Sequence, residues 1–134
     1  MKIVIESIPH SHQRYPTCGD YWIDNDGTIQ IRVSEEMGDD SGFLVAFHEQ
    51  LELWMLRKRG VTIQQIDEFD IAYEKAHREG GTLEGKRLDE SEPGDDLNAP
   101  YFREHAIATS IECLAAAALG VDWKDHDANV EKLP

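Results

Sequence analysis

His48, Glu49 and Glu52 are the residues whose types and spacing are best suited to chemistry in this sequence. They lie in the segment 43–59, FLVAFHEQLELWMLRKR, which is apolar on nearly every face of a helix and is therefore expected to be buried. On a helix, His48 and Glu52 lie one turn apart on the same face, with Glu49 beside His48. A buried carboxylate is costly unless it is paired, protonated or bound to a metal. The segment therefore predicts a buried polar site, and metal ligation is one way to satisfy it.

The sequence HEQLE from His48 to Glu52 resembles the HExxH signature of the zincin metallopeptidases, with glutamate in place of the second histidine. The resemblance implies that His48 and Glu52 bind zinc from one helix face, since glutamate is also a zinc ligand. It implies that Glu49 holds the attacking water as general base. The preceding strand, GTIQIRV, is similar to the zincin arrangement, in which an edge strand runs beside the cleft. The resemblance is local and covers about residues 20–59.

A third ligand has to come from elsewhere in the chain, because catalytic zinc sites usually have three protein ligands and one open position. A later helical segment offers His105 and Glu112, about two turns apart along one face. His48, Glu52 and His105 would supply two imidazoles and a carboxylate, as in thermolysin-type sites. Glu112 is either a further metal ligand or a carboxylate that orients a histidine, and Glu104 is its weaker alternative.

Zinc suits these imidazole ligands better than magnesium or calcium does, although manganese, iron or nickel would accept the same set. His10 and His12 form a further histidine pair in the N-terminal loop. We expect these two loop histidines to be solvated.

Hydrophobic periodicity and turn signals predict one domain of α+β fold, with an N-terminal strand and a β-hairpin packed on three to four helices around a zincin-like core. At 134 residues the chain is long enough for a single sizeable core. The segment 80–97 is rich in glycine and charge, so it is either disordered or a flap over the cleft. The predicted elements are the strand and hairpin in 1–35, helices at 43–59, 63–78 and 99–119, the mobile loop at 80–97, and a short helix at 122–132.

Five helix ends carry recognisable signals. Asp40 or Ser41 is expected to cap the first helix, and Thr62 with Gln65 forms a capping box for the second. Asp122 is expected to cap the last helix. Gly60 and Gly120 are expected to end the first and third helices.

Two helices are predicted to have largely solvated polar faces. Asp67, Asp70 and Glu74 share one strip of the second helix, and such strips are usually in contact with water. The last helix is predicted to bury Trp123 and Val130 and to leave its other residues in solvent.

Composition narrows the classes of function and the compartment. The chain has 27 acidic and 13 basic residues, and its net charge of -14 argues against binding nucleic acid or anionic membranes by direct charge attraction. Cys18 and Cys113 are too few for a disulfide framework or a four-cysteine zinc site. The N-terminal region lacks signal-peptide features, and no apolar run is long enough to span a bilayer. We therefore expect a cytoplasmic protein, and its oligomeric state stays open.

The leading hypothesis is a zincin-like metal-binding protein, specifically a metal-dependent hydrolase of peptides or proteins with Glu49 as base.

One alternative is a magnesium site. Glu49 and Glu52, followed by Asp67 and Asp70, loosely resemble the all-α nucleotide pyrophosphohydrolases, and the basic residues 57–59 would then bind phosphate. The other alternative is a non-enzymatic acidic protein that binds or inhibits a partner through the partner's basic nucleic-acid site. The overall pattern also resembles small proteins encoded by phages and prophages.

Overall fold

The computed structural model describes residues 1–80 and 92–133 in full and the backbone of 82–83 and 86–87. It confirms the predicted α+β class, because a three-stranded sheet packs with helices. Within the described residues, no helix combines the length and the apolar character needed to cross a membrane. The strands are β1 (Ile3–Ile8), β2 (Gly19–Ile23), β3 (Ile29–Ser34), β4 (Thr82–Leu83) and β5 (Lys86–Arg87), and the helices are α1 (Asp39–Arg59), α2 (Ile63–Arg78), α3 (Phe102–Leu119) and α4 (Trp123–Glu131).

Strand β3 is the centre of the main sheet, with β1 parallel on one side and β2 antiparallel on the other. Its alternate residues Ile29, Ile31 and Val33 are buried, as the period of two predicts. The β2–β3 hairpin is therefore as expected from the sequence. The GTIQIRV strand is not an edge strand, however, because β1 pairs with its free side. The strand that reaches the candidate site is β2.

Helices α1 and α3 pack against each other in antiparallel directions. Arg59 at the end of α1 binds the carboxylate of Glu104 at the start of α3, with Nε to Oε1 at 2.6 Å. Further along, His48 of α1 contacts Glu112 of α3. The polar residues in the middle of each helix therefore face one another.

The first helix begins earlier than predicted. Gly38 precedes α1 with a φ of 83°, a left-handed value that favours glycine, and the helix starts at Asp39. Asp39 and Asp40 then lie in the first turn, where the helix dipole favours negative charge. The predicted cap at Asp40 or Ser41 is wrong, and Ser41 is instead buried within the helix.

The other helix ends differ less from the predictions. The capping box of Thr62 and Gln65 is present, and the Asp122 side chain caps α4. Gly60 and Gly120 end their helices in the left-handed conformation. Helix α3 begins at Phe102 rather than at 99, after a short turn.

The segment predicted as a mobile loop at 80–97 contains regular structure where it is described. Strands β4 and β5 pair in antiparallel fashion, and Pro93–Asp95 forms a 3-10 turn. Gly94 in this turn is buried against the His105 ring, where an added Cβ would lie 2.5 Å from the ring. Packing on the site therefore orders this end of the segment. The rest of the predicted loop, at 81, 84–85 and 88–91, lies outside the described residues.

Candidate metal centre

Three of the predicted ligands meet between α1 and α3. His48 Nε2 lies 3.1 Å from Glu52 Oε2 and 3.2 Å from His105 Nδ1, and His105 Nδ1 lies 3.1 Å from the same Glu52 oxygen. These atoms form a nearly equilateral triangle. Within the described residues, this is the group of side chains whose spacing could hold a metal ion.

The size of the triangle suits a small divalent metal. In a tetrahedral zinc site with bonds of about 2.0 to 2.2 Å, neighbouring ligand atoms are about 3.3 to 3.6 Å apart. The observed separations of 3.1 to 3.2 Å are slightly shorter, so a small outward movement of the side chains would admit the ion. The donor set of two imidazoles and a carboxylate also fits zinc.

Glu52 is held from behind by a tyrosine of the sheet. The Tyr21 hydroxyl on β2 donates to Glu52 Oε1 at 2.8 Å, which leaves Oε2 as the oxygen that faces the two histidines. Tyr21 is buried, and its inward direction follows from its pairing with buried Ile31 across the hairpin. We did not anticipate this contact from the sequence, and the alternation along β2 is the signal that could have revealed it.

His48 is held from behind by Glu112. Glu112 Oε2 lies 2.7 Å from His48 Nδ1, on the opposite side of the ring from Nε2. Of the two roles that the sequence left open for Glu112, the geometry favours the carboxylate that orients a histidine over a fourth ligand. The other oxygen of Glu112 lies 2.6 Å from Nε2 of His126, a residue of α4 that the sequence analysis missed.

His105 is held by the turn that follows the second sheet. Its Nε2 lies 3.6 Å from Glu92 and 3.7 Å from Asp95, while Gly94 packs on its ring. Glu52 and His48 therefore each have a hydrogen-bond partner for the polar atom outside the triangle, whereas Nε2 of His105 lies near two carboxylates but beyond hydrogen-bond distance. The hydrogen bonds behind Glu52 and His48 are the supporting arrangement that metal ligands in proteins usually have.

Glu49 lies beside the triangle and lines the cleft. An added Cβ on Gly19 would lie 2.5 Å from Glu49 Oε1, so the missing side chain of this β2 glycine makes room for the carboxylate. Burial and the negative charge of Glu52 raise the pKa of Glu49 well above its ordinary value, although His48 opposes the shift. The carboxyl group of Glu49 is therefore more readily protonated in the metal-free cluster than an ordinary glutamate.

The cluster is strongly charged when no metal is bound. Burial lowers the pKa of His48, but hydrogen bonds to Glu112 and Glu52 outweigh this effect and raise it to about 11. Burial likewise lowers the pKa of His105, but its hydrogen bond to Glu52 and the charge of Glu52 outweigh this effect and raise it. Burial raises the pKa of Glu52, but its contacts with His105 and His48 prevail and lower it to about 2. A metal ion would take the place of the protons on these histidines.

A cleft of about 630 Å³ opens over the triangle. Strand β2, helix α2 and the turn at Pro93–Asp95 contribute to its walls. Among the described residues that line it, there are many carboxylates and no lysine or arginine. The charge of the cleft therefore favours a ligand that is neutral or positively charged.

The acidic strip of α2 is only partly solvated. Asp70 is buried, and it accepts hydrogen bonds from the hydroxyls of Tyr101 and Tyr15, the latter at 3.1 Å. The prediction of a solvated face is therefore wrong for Asp70. Asp67 binds Arg14 at 3.1 Å, which ties the N-terminal loop to α2.

The other candidates from the sequence lie outside the triangle. Glu104, in the first turn of α3, is paired with Arg59 at the end of α1. The Nδ1 atom of His10 lies 2.9 Å from Ser34 Oγ, and His12 is exposed. Neither loop histidine belongs to the metal-ligand group.

Comparison with family models, curated proteins and solved structures gave no significant match. The resemblance to zincins therefore stays a prediction from the residues, and a proposed function has to be based on the geometry of the site.

The stability of the fold should depend on pH through Asp70. Burial raises the pKa of Asp70 to about 7, although the hydrogen bonds from Tyr101 and Tyr15 oppose the shift. Protonated Asp70 therefore stabilises the fold below the ordinary aspartate pKa of about 4, and this contribution is lost as the pH rises through 7. Relative to Asp70→Asn, the wild type should lose about 1.4 kcal/mol of unfolding free energy per pH unit across this window.

Urea denaturation of both proteins between pH 4.5 and pH 8 measures this difference. A difference in unfolding free energy that does not change with pH would show that Asp70 does not titrate in this window.

Proposed function

We propose that this protein binds one divalent transition metal, zinc by preference, through His48, Glu52 and His105. The observation that carries the proposal is the triangle of ligand atoms 3.1 to 3.2 Å apart, with Glu52 and His48 each hydrogen-bonded on the side away from the triangle. Buried charged groups are costly, and a metal ion offsets that cost better than three side chains facing one another do.

We further propose that the centre hydrolyses a carbonyl substrate. A metal bound here would act as a Lewis acid on the carbonyl and would make water more acidic. Glu49 lines the open cleft beside the ligands, where its carboxylate would accept the proton of the attacking water. His48 and His105 fill the metal's coordination positions and so are not available as bases.

The cleft favours a peptide or protein substrate over a phosphate ester. No lysine or arginine lines it within the described residues, so a phosphate would meet carboxylates without a compensating cation. An amide carbonyl is neutral and incurs no such repulsion. Basic side chains in the substrate would be attracted.

The magnesium alternative has less support. Arg59 binds Glu104 and the Pro100 carbonyl, and Arg57 lies over the ring of Trp54. These cations are therefore engaged away from the cleft. Asp70 is occupied by two tyrosines, which leaves it poorly placed to share a magnesium ion with Glu52.

The alternative of an acidic binding protein is supported by the net charge alone. A chain without bound metal would favour it. We also propose a cytoplasmic location, since Cys18 and Cys113 are both free thiols.

Removing either histidine ligand should abolish tight zinc binding. We expect about one zinc per chain in the untagged wild type, and His48→Ala and His105→Ala should each bind at least about 100-fold more weakly, because two ligands remain. The matched control is His12→Ala, since His12 is an exposed histidine outside the triangle. Competition with a chromophoric chelator measures the affinities. Equal affinity in the wild type and His48→Ala would exclude this site.

Changing the base should separate hydrolysis from metal binding. Glu49→Gln keeps the shape of the side chain and removes its basicity, so zinc affinity should change by less than about threefold. Hydrolysis of a fluorescence-quenched casein or of a mixed peptide library should fall about 10²- to 10⁴-fold.

The matched control for this change is Glu68→Gln, since Glu68 is exposed on α2 and outside the cleft lining. Hydrolysis that survives in Glu49→Gln would show that Glu49 is not the base. No hydrolysis by the zinc-loaded wild type would reject a peptidase and leave the metal centre in place.

A further inference from the structure

His126 is a buried histidine that the proposed reaction does not use. It is 1% exposed, and it is the buried residue of α4, a helix of 9 residues. Both of its ring nitrogens have partners: Nε2 lies 2.6 Å from Glu112 Oε1, and Nδ1 lies 3.0 Å from Ser41 Oγ. It therefore connects the C-terminal helix to the carboxylate that lies behind His48.

Donor and acceptor roles can be assigned along this chain of contacts. Asn129 Nδ2 donates to Ser41 Oγ at 3.3 Å, so the Ser41 hydroxyl can donate to His126 Nδ1. His126 Nε2 then carries the proton that it donates to the Glu112 carboxylate. The second oxygen of Glu112 accepts the Nδ1 proton of His48. His48 Nε2, in the triangle, is therefore the nitrogen left to bind a metal.

We propose that His126 is a positioning residue for the metal centre, and that it acts through Glu112 to hold His48 in the tautomer that ligates. The inference depends on the proposed metal site. A carboxylate has freedom to rotate, and His126 removes it by fixing one oxygen, so that the other stays on His48 Nδ1. Burial of Glu112 makes this second hydrogen bond necessary, since an unpaired buried carboxylate oxygen is costly.

The same contact couples α4 to the metal. His126 is the buried residue of this helix, and half-buried Val130 and Leu133 pack against the hydrophobic core. If docking of α4 improves metal affinity through His126, metal binding must stabilise the docking of α4 by the same factor. The free energy of docking α4 and the free energy of metal binding are therefore linked.

Two amide variants of His126 provide a matched test. In His126→Gln the amide nitrogen reaches about the position of Nε2 and can still donate to Glu112. In His126→Asn the same chemical group ends near Nδ1 and cannot reach it. We expect His126→Gln to bind zinc within about threefold of wild type, and His126→Asn to bind about 10- to 100-fold more weakly, the usual effect of losing such a supporting contact.

Chelator competition on the full untagged chain gives the zinc affinities, and thermal unfolding in excess EDTA gives the stability without metal. Equal zinc affinity in the Asn and Gln variants, in a wild type that does bind zinc, would overturn the role of His126 and leave the metal site standing. Zinc affinities that rank the variants in the same order as their unfolding temperatures in EDTA would also overturn it. A general loss of packing would then explain the weaker binding. A wild type without zinc binding would reject the metal site and this role together.

Hydrogen exchange tests the reciprocal effect. Zinc should slow amide exchange in residues 123–131 of the wild type and of His126→Gln, and should have a smaller effect in His126→Asn. Equal slowing of α4 in all three proteins would contradict the coupling.

Discussion

The cost of burying charge between α1 and α3 is the constraint on which the rest of the structure depends. Glu52, Glu112 and His126 are each 6% exposed or less, and His48 is 7% exposed. Such groups are tolerated only where each polar atom has a partner. The small residues Ala108 and Ala116 share the α3 face of His105 and Glu112 and are fully buried, so the two helices approach closely enough for these contacts to form.

The sheet and the turn at Pro93–Asp95 contribute to the site in two ways. One side chain donates a hydrogen bond to a ligand, and two glycines leave room for neighbouring side chains. Tyr21 supplies a hydroxyl to Glu52, whereas Gly19 and Gly94 supply no side chain where Glu49 and the His105 ring lie. A larger residue at either glycine would collide with a group that the proposed chemistry needs. Tyr21 contacts Glu52, Glu112 contacts His48, and the turn at Pro93–Asp95 packs on His105. The cleft lies over the remaining side of the triangle.

Helical periodicity placed His48 and Glu52 on one face, and His105 was added to them because a catalytic zinc site usually needs a third protein ligand. The sequence could not decide the role of Glu112, which depends on the helix packing and on the side of the His48 ring that Glu112 reaches. His126 was missed because Asp125 and Asp127 flank it and suggest a solvated helix. The α+β class and most elements followed from periodicity and turns, whereas the burial of Asp70 depends on tyrosines far away in the chain.

The most direct test of the metal centre is X-ray absorption spectroscopy of the untagged protein loaded with one zinc per chain. We predict a first shell of nitrogen and oxygen atoms only, at about 2.0 to 2.2 Å, with outer-shell scattering from two imidazole rings. A sulfur ligand at about 2.3 Å, or scattering from fewer than two imidazoles, would contradict the assignment of His48, Glu52 and His105.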